Sequence, residues 1–493
     1  MQLIRSVLNK YPNEILFAFS FLLFFVLSSV YLDSDFGWHI RLGELIVKEG
    51  IPRVDPFSYT MPSYPYVDHE WLVHLGMYLM YQTIGWWGLA IIFSAIAAAS
   101  LYVVTKMVNS IHSIVPLIIG ETIFLSRFGI RVQVISWLLF AILLRICWTK
   151  ENWQRWRYVS PFLIALWVNL HGSFPLGLLF FLIANVYYFD RKRVDWKSIL
   201  LMTVTLLATF INPYGGVIWH EVWMQLSFLT VGSGINEWRP FWVRPELAFC
   251  AIFSFCALLG WRFRKSLSLL HVGIIGVSFY LTATALRHGP FFALSTIPFL
   301  SNLFQKFEQS ITKIPFGRER YKRFSMIVIG LVLVIYSLEY FFSLKAVLSF
   351  RENVYYPKEA IQFVEKNKKE GHVFSSYEWG GYLIWKMPNE KVFVDGRMVT
   401  FRWDPPEGQS PSAFNDYDRI LNGENVKELF EKYQISMVLW AKPQSKSSST
   451  TNFIQKLFGK PSSKSFLEIL KNLGWKEIYS DAVAVVYIKY EEE

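Results

Sequence analysis

The fold class follows from an apolar stretch near the N-terminus, Ile15-Leu-Phe-Ala-Phe-Ser-Phe-Leu-Leu-Phe-Phe-Val-Leu-Ser-Ser-Val-Tyr-Leu32, which runs directly into Asp33. These 18 residues carry no charge, and as a helix they are long enough to cross the ~30 Å hydrocarbon layer of a membrane. Further uncharged runs recur up to residue 345, and 53% of the 493 residues are apolar. The composition excludes a disordered, fibrous or disulfide-stapled chain and predicts a polytopic α-helical membrane protein.

The charge distribution predicts how the helices are oriented. The net charge is +11, yet residues 351–493 balance 20 basic against 20 acidic residues, so the basic excess lies in the apolar part. Loops rich in Lys and Arg stay in the cytoplasm. Such loops lie at Trp148–Arg157, Asp190–Arg193, Arg262–Lys265 and Lys306–Arg323. Placing all of them inside requires about 11 transmembrane helices, a cytoplasmic N-terminus and an extracytoplasmic C-terminal part, in a cell (inner or plasma) membrane.

The chain divides into two predicted domains. Residues 1–345 form the transmembrane domain, with a first external loop at 33–70 and an interfacial helix at 71–84. The membrane helices are predicted at 14–32, 87–105, 113–126, 132–148, 158–170, 173–189, 198–212, 246–261, 266–285, 290–304 and 324–344. Residues 346–493 form a soluble extracytoplasmic α/β domain, because helical spacing alternates there with short β-type runs. Its strands are predicted at 373–376, 391–396, 435–440 and 482–489, and Pro443–Lys464, rich in Ser and Lys, as a loop.

Polar side chains collect in the connections that the charge argument places outside. The residues are Asp33, Asp35, His39, Asp68, His69, Glu70, Arg127, Arg131, His171, Glu237, Arg287 and His288. Ionisable groups near membrane depth are costly, so a cluster that opens on one face indicates a functional site. No basic stripe of the kind that binds nucleic acid is present, and we expect the bilayer, rather than nucleic acid, as a partner.

The acidic residues of the first loop have two interpretations. Asp35, or Asp33, is a candidate general base, and Asp35, His39, His69 and Glu70 are candidate ligands of a divalent metal ion. In the alternative interpretation these residues have no catalytic or metal-binding role. Asp33 and Asp35 would be interfacial carboxylates or would cap the helix after Asp35, and the group just before Trp71 would cap the helix that begins there. The His-Glu-x-x-His zinc motif is absent, so no cofactor is certain.

The basic residues also have two interpretations. Arg287, Arg131 and Arg127 are candidates for gripping a phosphate, which a planar guanidinium binds well, while an arginine reaching the lipid head groups is the alternative. His171 lies in a short glycine-containing turn, where an exposed or backbone-bonded histidine is common. Trp379-Gly-Gly-Tyr382 has neither a dinucleotide-binding nor a P-loop order, and Asp395-Gly-Arg397 is typical of a tight turn.

The segment Asp33-Ser-Asp35 followed by Trp38-His39 resembles the start of the first external loop in the C-type (GT-C) membrane glycosyltransferases. The stretches Gly50-Ile-Pro-Arg-Val-Asp-Pro-Phe-Ser-Tyr59 and Val394-Asp-Gly-Arg397 resemble those of a set of bacterial multi-pass membrane proteins of this type. The first resemblance implies a catalytic carboxylate near the start of the loop, which Asp35 matches best and Asp33 second. The chain lacks the paired Asp-Glu of protein mannosyl transfer and the Trp-Trp-Asp of the oligosaccharyl transferases, which leaves the acceptor open.

The resemblance implies an enzyme that moves a sugar from a polyprenyl-phosphate donor to an extracytoplasmic glycan, lipid or protein, with inversion at the anomeric carbon. On this hypothesis Asp35 activates the acceptor while Arg287 and His288 stabilise the departing phosphate. Arg131, Arg127, His171 and Glu237 are further candidates for binding the substrate. Two rivals lack this chemistry; the first would use the same arginines, and the function of the second would lie in the C-terminal domain. They are a transporter or flippase of a lipid-linked anion and a non-catalytic envelope assembly protein.

Overall fold

The structure, a computed structural model, describes residues 12–108, 111–190, 194–227, 236–243, 246–313, 317–368, 370–397, 413–442 and 463–489. Most of the loop predicted at Pro443–Lys464 lies outside these residues, and so do Arg191 to Arg193 of one predicted cytoplasmic loop.

The described chain folds into two compact units. The first unit holds residues 12–31, 80–222 and 226–348, and the second holds residues 32–79, 223–225 and the C-terminal part from Ser349 onward. Residues 33–70, which the sequence presented as a loop of the transmembrane domain, thus belong to the same unit as the C-terminal residues. Neither the hydropathy nor the charge pattern indicated this grouping.

The N-terminal 349 residues are dominated by helices. They are α1 (Pro12–Val30), α2 (Phe36–Glu49), α3 (Trp71–Thr105), α4 (Ile114–Leu125), α5 (Gln133–Trp148), α6 (Lys150–Trp156), α7 (Ser160–Leu170), α8 (Phe174–Tyr187), α9 (Trp196–Ala208), α10 (Val217–Ser227), α11 (Leu247–Arg262), α12 (Leu269–Thr284), α13 (Gly289–Ile311) and α14 (Gly317–Ser349). An α-helix lies over each of the predicted apolar ranges. The backbone of α3 leaves helical geometry at Gly85 (φ 62°, ψ −165°), where the predicted interfacial helix ends.

Length separates these helices into two groups. Within the described residues, three are long and apolar enough to cross a membrane, Asn13–Val30, Trp71–Thr105 and Glu319–Ser349, or four if the pair Gln133–Trp148 and Lys150–Leu170, bent by 113°, counts as one span. Several other apolar helices have only 10–17 residues. The chain is a membrane protein, while the count of 11 spans stays a prediction.

The C-terminal residues of the second unit form a small sheet flanked by helices. The helices are α15 (Glu352–Tyr355), α16 (Lys358–Asn367), α17 (Gly380–Lys386), α18 (Ala413–Leu421), α19 (Val426–Lys432) and α20 (Ser463–Asn472), and the strands are β1 (His372–Ser375), β2 (Ile435–Ala441), β3 (Trp475–Ser480) and β4 (Ala484–Lys489). The strand order is β1-β2-β4-β3, with β1 and β2 parallel and the other pairs antiparallel. The predicted small α/β architecture is therefore present.

One predicted strand is wrong. Residues 391–396 form no strand, and Val392 makes only an isolated bridge with Ser58 of the first loop. The Tyr59 N–H donates to the Val392 carbonyl at 3.1 Å, and the Val392 N–H donates to the Phe57 carbonyl at 2.9 Å. The alternating pattern correctly indicated a buried segment, but this segment pairs with the first loop instead of the sheet.

Glycines allow the first loop and α17 to pack closely. A Cβ atom on Gly37 of α2 would lie 2.0 Å from the Gly381 carbonyl oxygen, and one on Gly381 would lie 2.2 Å from the Ser34 carbonyl oxygen. Any side chain at either position would force the backbones apart. The glycine pair in Trp379-Gly-Gly-Tyr382 therefore serves helix packing within the second unit.

A buried ion triad joins the first loop to the segment that follows α17. Arg397 Nη1 donates to Asp55 Oδ1 at 2.7 Å, while its Nη2 and Nε donate to the Asp395 carboxylate at 2.6 and 2.8 Å. All three residues are at most 4% exposed. Burial opposes the charge of Arg397, but the carboxylates of Asp395 and Asp55 outweigh it and raise the pKa of the guanidinium above its ordinary value.

Candidate functional site

The two candidate carboxylates have different environments. Asp33 is 3% exposed, and its Oδ1 accepts the Asp35 N–H at 3.0 Å, so it stabilises the turn that leads into α2. Asp35 is half-buried at the N-cap position, where its side chain does not cap the helix. Its Oδ1 accepts the Trp38 indole N–H at 3.2 Å. Asp35 is therefore the better placed of the two for chemistry.

Gly396 completes the surroundings of Asp35. A Cβ atom at this position would lie 2.2 Å from Asp35 Oδ1. The backbone of the Asp395-Gly-Arg397 motif thus lies directly against the carboxylate, which would have to shift if a larger residue replaced Gly396. The sequence indicated a tight turn here and gave no sign of this contact.

Two histidines and a glutamate of the second unit meet in a buried group. The ligand atoms of His39, Glu70 and His74 all lie within 4.8 Å of one another, and each residue is at most 7% exposed. His39 Nδ1 is 2.9 Å from His74 Nε2, and the other ring nitrogen of His74 is 2.9 Å from Asp68 Oδ2. Imidazole nitrogens with a carboxylate oxygen are a donor set that fits a transition metal ion.

Of the four predicted metal ligands, the structure brings His39 and Glu70 together. Asp35 and His69 are not members of the group of three, and the His69 side chain lies beside Glu70 instead, with Nε2 3.5 Å from Oε1. His74 was missed. Its signal was the four-residue spacing from Glu70, which places both side chains on one face of a helix.

Arg127, in the first unit, is fully engaged within the protein. Its Nε donates to the Leu286 carbonyl at 2.7 Å, and its Nη2 donates to both oxygens of Glu246 at 2.9 and 3.0 Å. Its Nη1 donates to the Ile123 carbonyl and to Ser126 Oγ. These bonds suit a residue that holds the connection before α13 in place.

The other two arginines lie beside Glu237 and Trp238. Arg131 Nη1 is 3.1 Å from Glu237 Oε2, and the Arg287 guanidinium lies over the Trp238 ring, 4.1 Å from its centroid. Burial raises the pKa of Glu237, but Arg131 and Arg287 outweigh this effect and lower it overall. Glu237 is therefore ionised, and it orients two cations next to an aromatic face.

Two histidines belong to the same unit. His171 Nδ1 lies 2.7 Å from Ser173 Oγ, in the turn between α7 and α8. His288 directly precedes α13, and burial, reinforced by Arg287 and His171, lowers the pKa of its imidazole to about 3. A neutral imidazole beside arginines can donate a hydrogen bond to an anion without adding charge.

Comparison with solved structures identifies the fold. The chain is similar to the archaeal oligosaccharyltransferase AglB from Archaeoglobus fulgidus in complex with an inhibitory peptide and a dolichol-phosphate, with a TM-score of 0.56 and 12% identity over 98% of this chain and 75% of that chain. It is similar to the apo form (TM-score 0.56, 12% identity, 99% and 75%) and to the complex with Zn and sulfate (0.53, 12%, 96% and 73%). No family model matches the chain, and no curated protein matches it. The likeness shows that this chain has an AglB-like fold.

The neutral His288 predicts a pH dependence of stability. Its pKa in the folded protein is about 3, against 6.5 in an unfolded chain, so below pH 6.5 the unfolded state binds more protons. The contribution of the neutral imidazole to the free energy of unfolding is therefore fully present above pH 6.5. It is lost as the pH falls, by at most ~1.4 kcal/mol per pH unit. Between pH 7 and 5 the melting temperature of the wild type should fall more steeply than that of His288→Asn. Parallel curves for the two proteins would contradict the burial of a neutral imidazole.

Proposed function

We propose that this chain is a membrane glycosyltransferase that moves a sugar from a polyprenyl-phosphate donor to an extracytoplasmic acceptor. The observation that carries the proposal is the AglB-like fold, which extends over 98% of the chain. The AglB structure contains a dolichol-phosphate, which is itself a polyprenyl phosphate. The resemblance of Asp33-Ser-Asp35 to the first loop of these enzymes supports the same reading independently of the fold.

Asp35 is proposed as the general base. It accepts the proton of the acceptor group as that group attacks the anomeric carbon, the bond from carbon to the phosphate oxygen breaks, and polyprenyl phosphate leaves with inversion of configuration. The Trp38 indole N–H and the backbone at Gly396 fix the position of the carboxylate, which reduces the entropy cost of reaching the reactive geometry. Asp33 is occupied by the turn before α2 and remains the competitor.

Arg287 and Arg131 are proposed to bind the phosphate of the donor. Both are cationic, both adjoin Glu237, and Arg287 additionally rests on an aromatic ring that restricts its motion. His288 supplies a neutral donor beside them. Arg127 is assigned a positioning role because its donors already engage Glu246 and backbone carbonyls.

A bound divalent metal, where present, would hold in order the segment that carries Asp35. Imidazole and carboxylate donors suitable for it exist at His39, Glu70 and His74. The acceptor is a glycan, a lipid or a protein. The Trp-Trp-Asp motif of oligosaccharyl transferases is absent from the sequence, since Trp86-Trp87 is followed by Gly88, and this weighs against a peptide acceptor of the AglB type.

The base assignment predicts that Asp35→Asn loses transfer while the protein stays folded, since the volume is kept and the charge is removed. Purified protein is given a polyprenyl-phosphate sugar and an acceptor-containing extract, and free polyprenyl phosphate is measured. The rate should fall by ~10² to 10⁴ in the variant, and Asp33→Asn serves as the matched comparison. If the variant kept about half of the wild-type rate or more, far more than the loss of a general base would leave, Asp35 would have only a structural role. Movement of the sugar across liposomes without cleavage of the sugar–phosphate bond would replace the enzyme by a transporter.

The phosphate assignment predicts that Arg287→Ala weakens donor use. Losing a hydrogen bond to a charged group costs ~1.5–3 kcal/mol, which corresponds to roughly 10–100-fold in the KM for the donor. The control is Arg264→Ala, because the guanidinium of Arg264 lies over the Trp261 ring in another connection. This variant likewise loses a cation that rests on an aromatic ring. An unchanged donor KM in Arg287→Ala would remove this residue from the site and make Arg131 the next one to test.

A further inference from the structure

The group of His39, Glu70 and His74 has the geometry of a coordination site. His74 Nε2 lies 2.9 Å from His39 Nδ1 and 3.5 Å from Glu70 Oε2. In a tetrahedral zinc site with bonds of ~2.0–2.1 Å, neighbouring ligand atoms are ~3.3–3.4 Å apart. The two measured separations lie on either side of this value.

We propose that His39, Glu70 and His74 bind a single divalent transition metal ion, and that zinc is the ion they fit best. Two imidazoles with one carboxylate leave a fourth position for water or another ligand, as in zinc sites with three protein ligands. Hard cations such as Mg²⁺ and Ca²⁺ prefer all-oxygen surroundings, which two histidines do not supply.

Asp68 supports the proposal from outside the ligand group. Its Oδ2 lies 2.9 Å from His74 Nδ1, and both side chains are 1% exposed. Its Oδ1 accepts the Glu70 N–H at 3.1 Å. With its Nδ1 proton donated to this carboxylate, His74 would direct the Nε2 lone pair at His39 and Glu70 when a metal ion binds. Metal-ligating histidines are usually oriented by a carboxylate in this way.

The ion would fix α2 against the start of α3, two segments that no strand pairing connects in the described residues. Trp38 transmits this order, because its ring lies 3.7 Å from the His39 ring while its indole N–H binds Asp35. The ion is therefore assigned a positioning role. The proposal does not rest on the glycosyltransferase reaction, since it concerns metal binding by these side chains alone.

Metal content of the purified full-length protein tests the site. Protein expressed with added zinc and dialysed against metal-free buffer should retain about one zinc per chain. His39→Ala and His74→Ala should lose it, while His69→Ala, which changes the neighbouring histidine outside the group, should keep it. Absence of zinc from the wild type, or equal loss in the His69→Ala control, would overturn the proposal.

Two further measurements keep the test decisive if an alanine variant fails to fold. Cobalt added to the metal-free wild type should give the visible absorption of a tetrahedral site, and zinc should raise its melting temperature by about 5 °C, a shift expected when a ligand binds only the folded state. Asp68→Asn keeps the volume of the supporting residue and should weaken zinc binding by ~10–100-fold. If neither the cobalt spectrum nor the thermal shift is observed, the three side chains form a hydrogen-bonded cluster that binds no metal ion.

Discussion

The second unit depends on one buried cation. Arg397 lies between Asp55 of the first loop and Asp395 of its own motif, with every ion contact at 2.6–2.8 Å. A buried charge is tolerated only when it is paired, and removing one partner of such a pair typically costs ~3–5 kcal/mol. The backbone bonds between Tyr59 and Val392 and the contact of Gly37 with Gly381 follow the same seam. The first loop is therefore an integral part of the C-terminal fold.

This arrangement explains how a loop can hold chemical groups in fixed positions. Asp35 is supported by Trp38 from its own helix and by the backbone of Gly396 from the C-terminal segment. His39, one turn later, lies against His74. Groups on rigid, packed elements reach a reactive geometry at lower cost than groups on a free loop. Residues of the first loop and of Val394-Asp-Gly-Arg397 are, in this chain, largely the ones that make this packing possible.

The sequence predicted those elements that depend on a local pattern of residues. Uncharged runs indicated the apolar helices, and alternation indicated β1, β2 and β4, because both signals are contained within a few neighbouring residues. Pairings between distant residues were not predictable in this way. Asp55 and Arg397 are 342 positions apart, and residues 391–396 had the pattern of a strand although their partner is the first loop. The pairing of Arg127 with Glu246, which lies 119 positions further along the chain, was equally out of reach of a local pattern.

We expect the first loop and the C-terminal residues of the second unit to fold as one cooperative unit around Arg397. Hydrogen exchange of the full-length protein tests this most directly, with Arg397→Met compared with Arg419→Met, whose arginine forms a partly exposed pair with Asp416 in the same unit. Loss of the buried cation should remove protection from the amides of Tyr59, Tyr66 and Val392 together, while the control variant keeps it. Loss confined to the C-terminal amides, with the first loop still protected, would contradict the account.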